Sequence, residues 1–153
     1  MKKNSGFTLA ETLMVVAITV VVSAVMFFSF ATYGSTEAIS KDQGLVVSVL
    51  EKARAMTLDS SNDAQYGVHF ASSTVTIFTG VTYSSTTPSN IVTTLDSKVQ
   101  VKSLDLAGGV KDVIFNRLSG ETNQIGTTTL SLISATTTTR TITIFGTGLI
   151  QPN

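Results

Sequence analysis

Gly6-Phe7-Thr8-Leu9-Ala10-Glu11, followed at once by the apolar run of residues 12–31, decides how the rest of the chain is read. Between residues 13 and 30 the only polar side chains are Thr19, Ser23 and Ser29, whose hydroxyls can bond back to the preceding helical turn. At about 1.5 Å per residue, a helix of roughly 20 residues spans the hydrocarbon core of a bilayer, and the run beginning at Phe7 meets that length. Glu11 is the exception within it. A carboxylate in hydrocarbon costs about 3 kcal/mol on insertion scales, so one at the head of such a run is expected to have a partner and a role.

Upstream, Lys2 and Lys3 precede the run, and an excess of lysine on one flank places that flank in the cytoplasm. The sequence therefore predicts a single pass with the N-terminus cytoplasmic and everything after Ala31 across the membrane. A secretory signal peptide also begins with a basic region, but its apolar core is shorter and its small-residue cleavage site comes after that core. Here the small-residue junction, Gly6, lies before the apolar part.

Downstream, Thr32, Gly34, Ser35, Thr36 and Glu37 mark emergence from the membrane, with Gly34 a candidate bend. Ile39, Val46, Val49, Leu50, Ala53 and Met56 then recur mostly at steps of three and four, the stripe of an amphipathic helix lying on a core. Lys41, Asp42, Glu51, Lys52 and Arg54 fall largely outside that stripe. One helix from Phe7 to about Leu58 is expected, apolar all round in its first half and amphipathic in its second. Thr8 and Glu11 have capping-box spacing at its start, and the turn formers Asp59-Ser60-Ser61-Asn62-Asp63 end it.

Past Gln65 the period changes. Residues 66–70, 74–79, 91–95, 99–106, 110–115, 128–133 and 140–145 are short β-branched or aromatic runs separated by turn residues, which predicts a mainly antiparallel sheet. Gly108-Gly109 and Ser119-Gly120 are the best hairpin turns. Val99 and Val101 share one face of their run while Leu104 and Leu106 share the other, a phase slip that predicts a bulge or a bent strand.

Composition narrows the chemistry. The 153 residues leave room for one domain besides the apolar segment, and the mean hydropathy of +0.33 is inflated by that segment. Ten basic and ten acidic residues cancel, with no basic cluster after the N-terminus to attract nucleic acid. There is no cysteine, which excludes disulfides, thiolate catalysis and Cys-ligated zinc. His69 is the only histidine, so no multi-histidine zinc site can be built, and strand spacing turns it to solvent opposite Val68 and Phe70. Asp59, Asp63, Asp96, Asp105 and Asp112 lack the spacing of a calcium loop and read as surface charges. Gly146-Thr147-Gly148 reads as a turn, and the threonine-rich tracts 127–129 and 136–139 as loop and strand edges. No cofactor is expected.

Lys2-Lys3-Asn4-Ser5-Gly6 followed by Phe7-Thr8-Leu9-Ala10-Glu11-Thr12-Leu13-Met14-Val15-Val16-Ala17-Ile18 resembles the class III signal of type IV pilins and type II secretion pseudopilins. The resemblance implies that a prepilin peptidase cuts between Gly6 and Phe7 and methylates the new amine of Phe7, and that Glu11 sets register during assembly. A cut at that point would remove both lysines and leave the helix as a permanent anchor. The new amine and the Glu11 carboxylate would stand about one helical turn apart, and between neighbouring helices the pair would act as a register pin, because low dielectric strengthens the attraction. The implied partners are other pilins or pseudopilins, the prepilin peptidase, the inner-membrane assembly platform and membrane lipid.

Further on, Tyr66-Gly67-Val68-His69-Phe70, then Val113-Ile114-Phe115 with Gly120, and Thr141-Ile142-Thr143-Ile144 with Gly146 and Gly148 resemble the head of GspH/FimT-type minor subunits. The expected fold class is therefore α+β: a long N-terminal helix packed on an antiparallel head of two small sheets. The expected division is a leader at 1–6, an anchor at 7–31, its amphipathic continuation at 32–58 and a β-rich head at 59–153. The implied function is a minor subunit of a pilus or secretion pseudopilus at the inner membrane, without catalysis. The alternative is a tip subunit that captures DNA or a surface. Nucleic acid is a partner that charge does not support, since residues 148–153 carry no basic side chain.

Overall fold

A computed structural model describes residues 7–59 and 63–153, with the backbone alone for 28–32. The chain forms two compact units, Met1–Thr36 and Glu37–Asn153. Helix α1 (Leu9–Leu58) runs for 50 residues and is unbroken through Gly34. The strands are β1 (Tyr66–Phe70), β2 (Thr74–Thr79), β3 (Ile91–Thr94), β4 (Val99–Leu106), β5 (Asp112–Ile114), β6 (Gly126–Leu132), β7 (Thr139–Ile144) and β8 (Ile150–Pro152).

Within the unit Glu37–Asn153 the strands form two four-stranded sheets, in the orders β3-β2-β1-β5 and β4-β6-β7-β8. Every pairing is antiparallel. Ile39, Val46, Leu50 and Ala53 from α1 are fully buried in one cluster with Val68, Phe70, Val75 and Val113 of the first sheet and Leu130, Ile142 and Ile144 of the second. Three short apolar surfaces thus exclude water from one another, which none could do alone. The helical stripe is the one that residue spacing predicts, with Met56 at its half-buried margin.

The expected phase slip in β4 is a bulge. Val101 pairs with Leu130 and Ser103 with Thr129, leaving Lys102 as the extra residue. The inserted residue reverses the alternation, so Val99, Val101, Leu104 and Leu106 all turn toward the core.

Three expectations need correcting. No strand is expected after residue 145, yet Ile150–Pro152 pairs with β7 as strand β8; three residues, one of them a proline, are too short for periodicity to reveal. Gly108-Gly109 forms a turn, with positive φ at both glycines and Gly109 N–H donating to Leu106 O, but it carries the chain from one sheet to the other and closes no hairpin. The 127–129 tract lies in β6, which has neighbours on both sides, and Thr128 is buried. Ser119-Gly120 does close a small antiparallel turn, where Phe115 bridges Thr122, and Gly146-Thr147-Gly148 is the turn between β7 and β8.

Candidate assembly site

The anchor begins where the expected cap stands. Thr8 Oγ1 accepts the N–H of Glu11 at 3.3 Å, and Glu11 Oε2 accepts the N–H of Thr8 at 3.4 Å, the reciprocal bonds of a capping box. A carboxylate in the first turn also faces the positive end of the helix dipole. Glu11 Oε1 accepts no hydrogen bond among the described residues, so one carboxylate oxygen stays available to a second donor. Phe7 precedes the helix and is 83% exposed. Gly6 and the expected leader at 1–6 lie outside the described residues.

Beyond the cap the anchor hides its few polar atoms. Thr12 Oγ1 donates to Leu9 O at 2.9 Å and Thr19 Oγ1 to Val15 O at 2.7 Å. Leu9–Phe27 has a mean hydropathy of 2.3 and no part of it is buried. A hydrocarbon surface of this extent is stable only against lipid or against other apolar helices.

Within the unit Glu37–Asn153, the polar residues Asp42 and Thr57 stand on the buried face of α1. Asp42 belongs to the stripe of Ile39, Val46 and Val49, contrary to the expectation that it lies outside, and accepts the N–H of Asp96 at 2.7 Å. Burial pushes its carboxyl above the ordinary value of 3.8, opposed by the Asp96 N–H, while the Asp96 carboxylate adds to the rise and Lys41 offsets part of it. The three- and four-residue steps from Ile39 to Asp42 to Val46 are the signal that places it inside. Thr57, one turn beyond Ala53, is likewise buried; its Oγ1 donates to Ala53 O at 2.9 Å and accepts Tyr66 N–H at 3.1 Å, joining the end of α1 to the start of β1.

Half-buried polar side chains complete the attachment. Gln43 Nε2 donates to Thr141 O at 2.8 Å and to Asn153 O at 3.0 Å, and Arg54 Nε donates to Gly120 O at 3.1 Å. These two residues hold α1 to the second sheet and to the Ser119-Gly120 turn, which helical periodicity alone could not indicate.

His69 is half-buried rather than turned to open solvent. Its Nδ1 lies 2.5 Å from Asp112 Oδ1, and its ring stacks on Tyr83 with centroids 3.8 Å apart and planes 5° apart. Asp112 is thus a partner on the next strand rather than a free surface charge, because His69 and Asp112 are directly paired across β1 and β5. Among the described residues no group of three or more His, Cys, Asp and Glu side chains could hold a metal ion.

Residues 1–27 match the family model described as the prokaryotic N-terminal methylation motif. No curated protein matches the chain. Among solved structures, the type IV minor pilin FimU of Pseudomonas aeruginosa superposes with a TM-score of 0.56 at 15% identity, over 74% of this chain and 91% of that one. The likeness is one of fold: a helix against antiparallel β-structure. The motif thus covers the start of α1, and the likeness to the minor pilin covers most of the chain and is one of fold.

Proposed function

We propose that this minor pilin-like chain is cut between Gly6 and Phe7 by a prepilin peptidase, methylated at the new Phe7 amine, and drawn from the inner membrane into a pilus or secretion pseudopilus, at or near its tip. Its part is structural. The observation that carries the reading is the bare apolar helix Leu9–Phe27 with a single capped carboxylate, Glu11, at its head.

Before assembly the helix rests in lipid with the head outside and the N-terminus cytoplasmic. The leader (1–6) is lost, the anchor (7–31) becomes filament core, and its continuation (32–58) carries the head (59–153). Moving from lipid to a bundle of apolar helices changes the hydrophobic term little, so selection falls to polar contacts. Glu11 supplies one: its unused oxygen takes the Phe7 amine of a neighbour, and a register that leaves either group unpaired in hydrocarbon is penalised. The assembly platform and the lipid around it are the remaining partners.

Replacing Gly6 by valine tests processing. The expected product keeps the leader mass, stays in the membrane and is absent from sheared filaments. Mature mass and normal incorporation would overturn the reading.

A further inference from the structure

The β4 bulge opens a cleft of about 350 Å³ between the two sheets, bordered by Ala71, Ser72, Lys102, Leu104, Val110 and Lys111. Above the bulge the outer edge of β4 is closed, since Val101 N–H donates to Ser72 O at 2.9 Å. Below it, Leu106 C=O accepts Gly109 N–H at 2.9 Å, so the outward-facing residues are Leu106 and, two positions earlier, Leu104. Leu104 N–H and C=O, turned away from β6, meet no partner among the described residues. The edge is therefore sealed at both ends and open in the middle, beside a floor made by the half-buried Leu104 and by Val110.

We infer that this notch binds a short extended peptide segment by strand addition, with an acidic side chain next to an apolar one. An added strand would exchange N–H···O bonds with Leu104, seat its apolar side chain against Leu104 and Val110, and reach Lys102 and Lys111 with its carboxylate. Both lysines are exposed, and no carboxylate among the described residues lies within ion-pair distance of either. Among the described residues Lys102 Nζ donates only to Thr136 O, at 3.0 Å. An unsatisfied backbone edge and an apolar floor suit a peptide, whereas single-stranded nucleic acid would want exposed aromatic faces to stack on, and the one aromatic residue at the cleft, Phe70, is fully buried.

The test uses the full chain, isotope-labelled in detergent micelles, titrated with four probes: the blocked pentapeptide TVEVT, its counterpart TVKVT, TVEVT methylated at alternate backbone nitrogens, and oligothymidylate. Saturable shifts of the Leu104, Val110 and Lys111 amides are expected with TVEVT, with binding about tenfold or more weaker for the lysine and N-methylated peptides. Lys102→Glu combined with Lys111→Glu should weaken TVEVT to the same degree while the remaining amide signals certify the fold. No saturable shift at those residues, equal binding of TVEVT and TVKVT, indifference to N-methylation, or binding of oligothymidylate in place of peptide would each overturn the inference.

Discussion

The carboxylate of Asp42, buried on the inner face of α1, accepts the backbone N–H of Asp96 at 2.7 Å and ties the helix to the loop between β3 and β4. Burial favours the protonated acid in the folded chain. Below pH 3.8 Asp42 is protonated folded or unfolded, and its contribution is fully present. As pH rises past that value the unfolded chain ionises first, and the contribution is lost up to the raised folded value. Asn at this position keeps an acceptor and never ionises. Asp42→Asn should therefore gain stability relative to the parent between pH 4 and pH 7, read by urea unfolding of the detergent-solubilised chain. Asp42→Ala orphans the Asp96 N–H and should lose about 1–3 kcal/mol. A difference between the Asn variant and the parent that is constant with pH would contradict the assignment.

Thr57 is the second polar residue on that face. Valine has nearly its shape but cannot accept the Tyr66 N–H that Thr57 Oγ1 holds at 3.1 Å. Thr57→Val should destabilise by about 1–3 kcal/mol, and Thr57→Ser by clearly less, because the hydroxyl returns. Equal denaturation midpoints for the two variants would show that packing, not the hydrogen bond, matters here.

Two glycines make a matched pair. Gly148 has φ +76°, and a Cβ there would stand 1.9 Å from Gly120 O and 2.6 Å from Arg54 Nε, so Gly148→Ala should cost about 3 kcal/mol or more and loosen the Arg54 contact. Gly44 is helical and exposed with nothing within 4 Å of an added Cβ, and Gly44→Ala should stabilise by up to about 1 kcal/mol. Thermal unfolding in detergent reads both.

Glu11 caps the helix, and the proposed function gives its charge a part in assembly; one substitution separates the two. Glutamine preserves the capping box, since its carbonyl can accept the Thr8 N–H that Glu11 Oε2 accepts at 3.4 Å, but it carries no charge. Glu11→Gln should leave membrane insertion and helix content unchanged and lower filament incorporation about tenfold, as quantified by immunoblot of sheared filaments. Parent-level incorporation would mean that the cap, not the charge, is what assembly uses.

Legibility tracked the range of the interactions concerned. Residues 66–70, 74–79 and 99–106 are strands over the bounds that their β-branched and aromatic runs predict, because composition and flanking turn residues are local signals. The bulge at Lys102 was visible as a phase error between Val101 and Leu104. The cap was visible as well, since Thr8 and Glu11 lie within one turn. The Asp42–Asp96 contact, the Arg54–Gly120 contact and the His69–Asp112 pair join residues 54, 66 and 43 positions apart, and no local period encodes them. The same limit hid β8, which exists only because β7 offers Ile142, Thr143 and Ile144 as partners.

By itself the sequence determined the apolar helix, the capped glutamate, the amphipathic continuation and the strand-rich region after it, for these rest on hydrophobicity and on periods of 3.6 and 2 that are properties of neighbouring residues. Tertiary structure alone decided how the strands divide between two sheets, which polar side chains go under the helix, and where a sheet edge stays open. Those outcomes depend on which distant surfaces meet and which backbone groups remain unpaired once they have. Leu104 illustrates the division: its inward side chain follows from pattern, while its outward N–H and C=O, without a partner among the described residues, are left open because the chain leaves β4 for the other sheet.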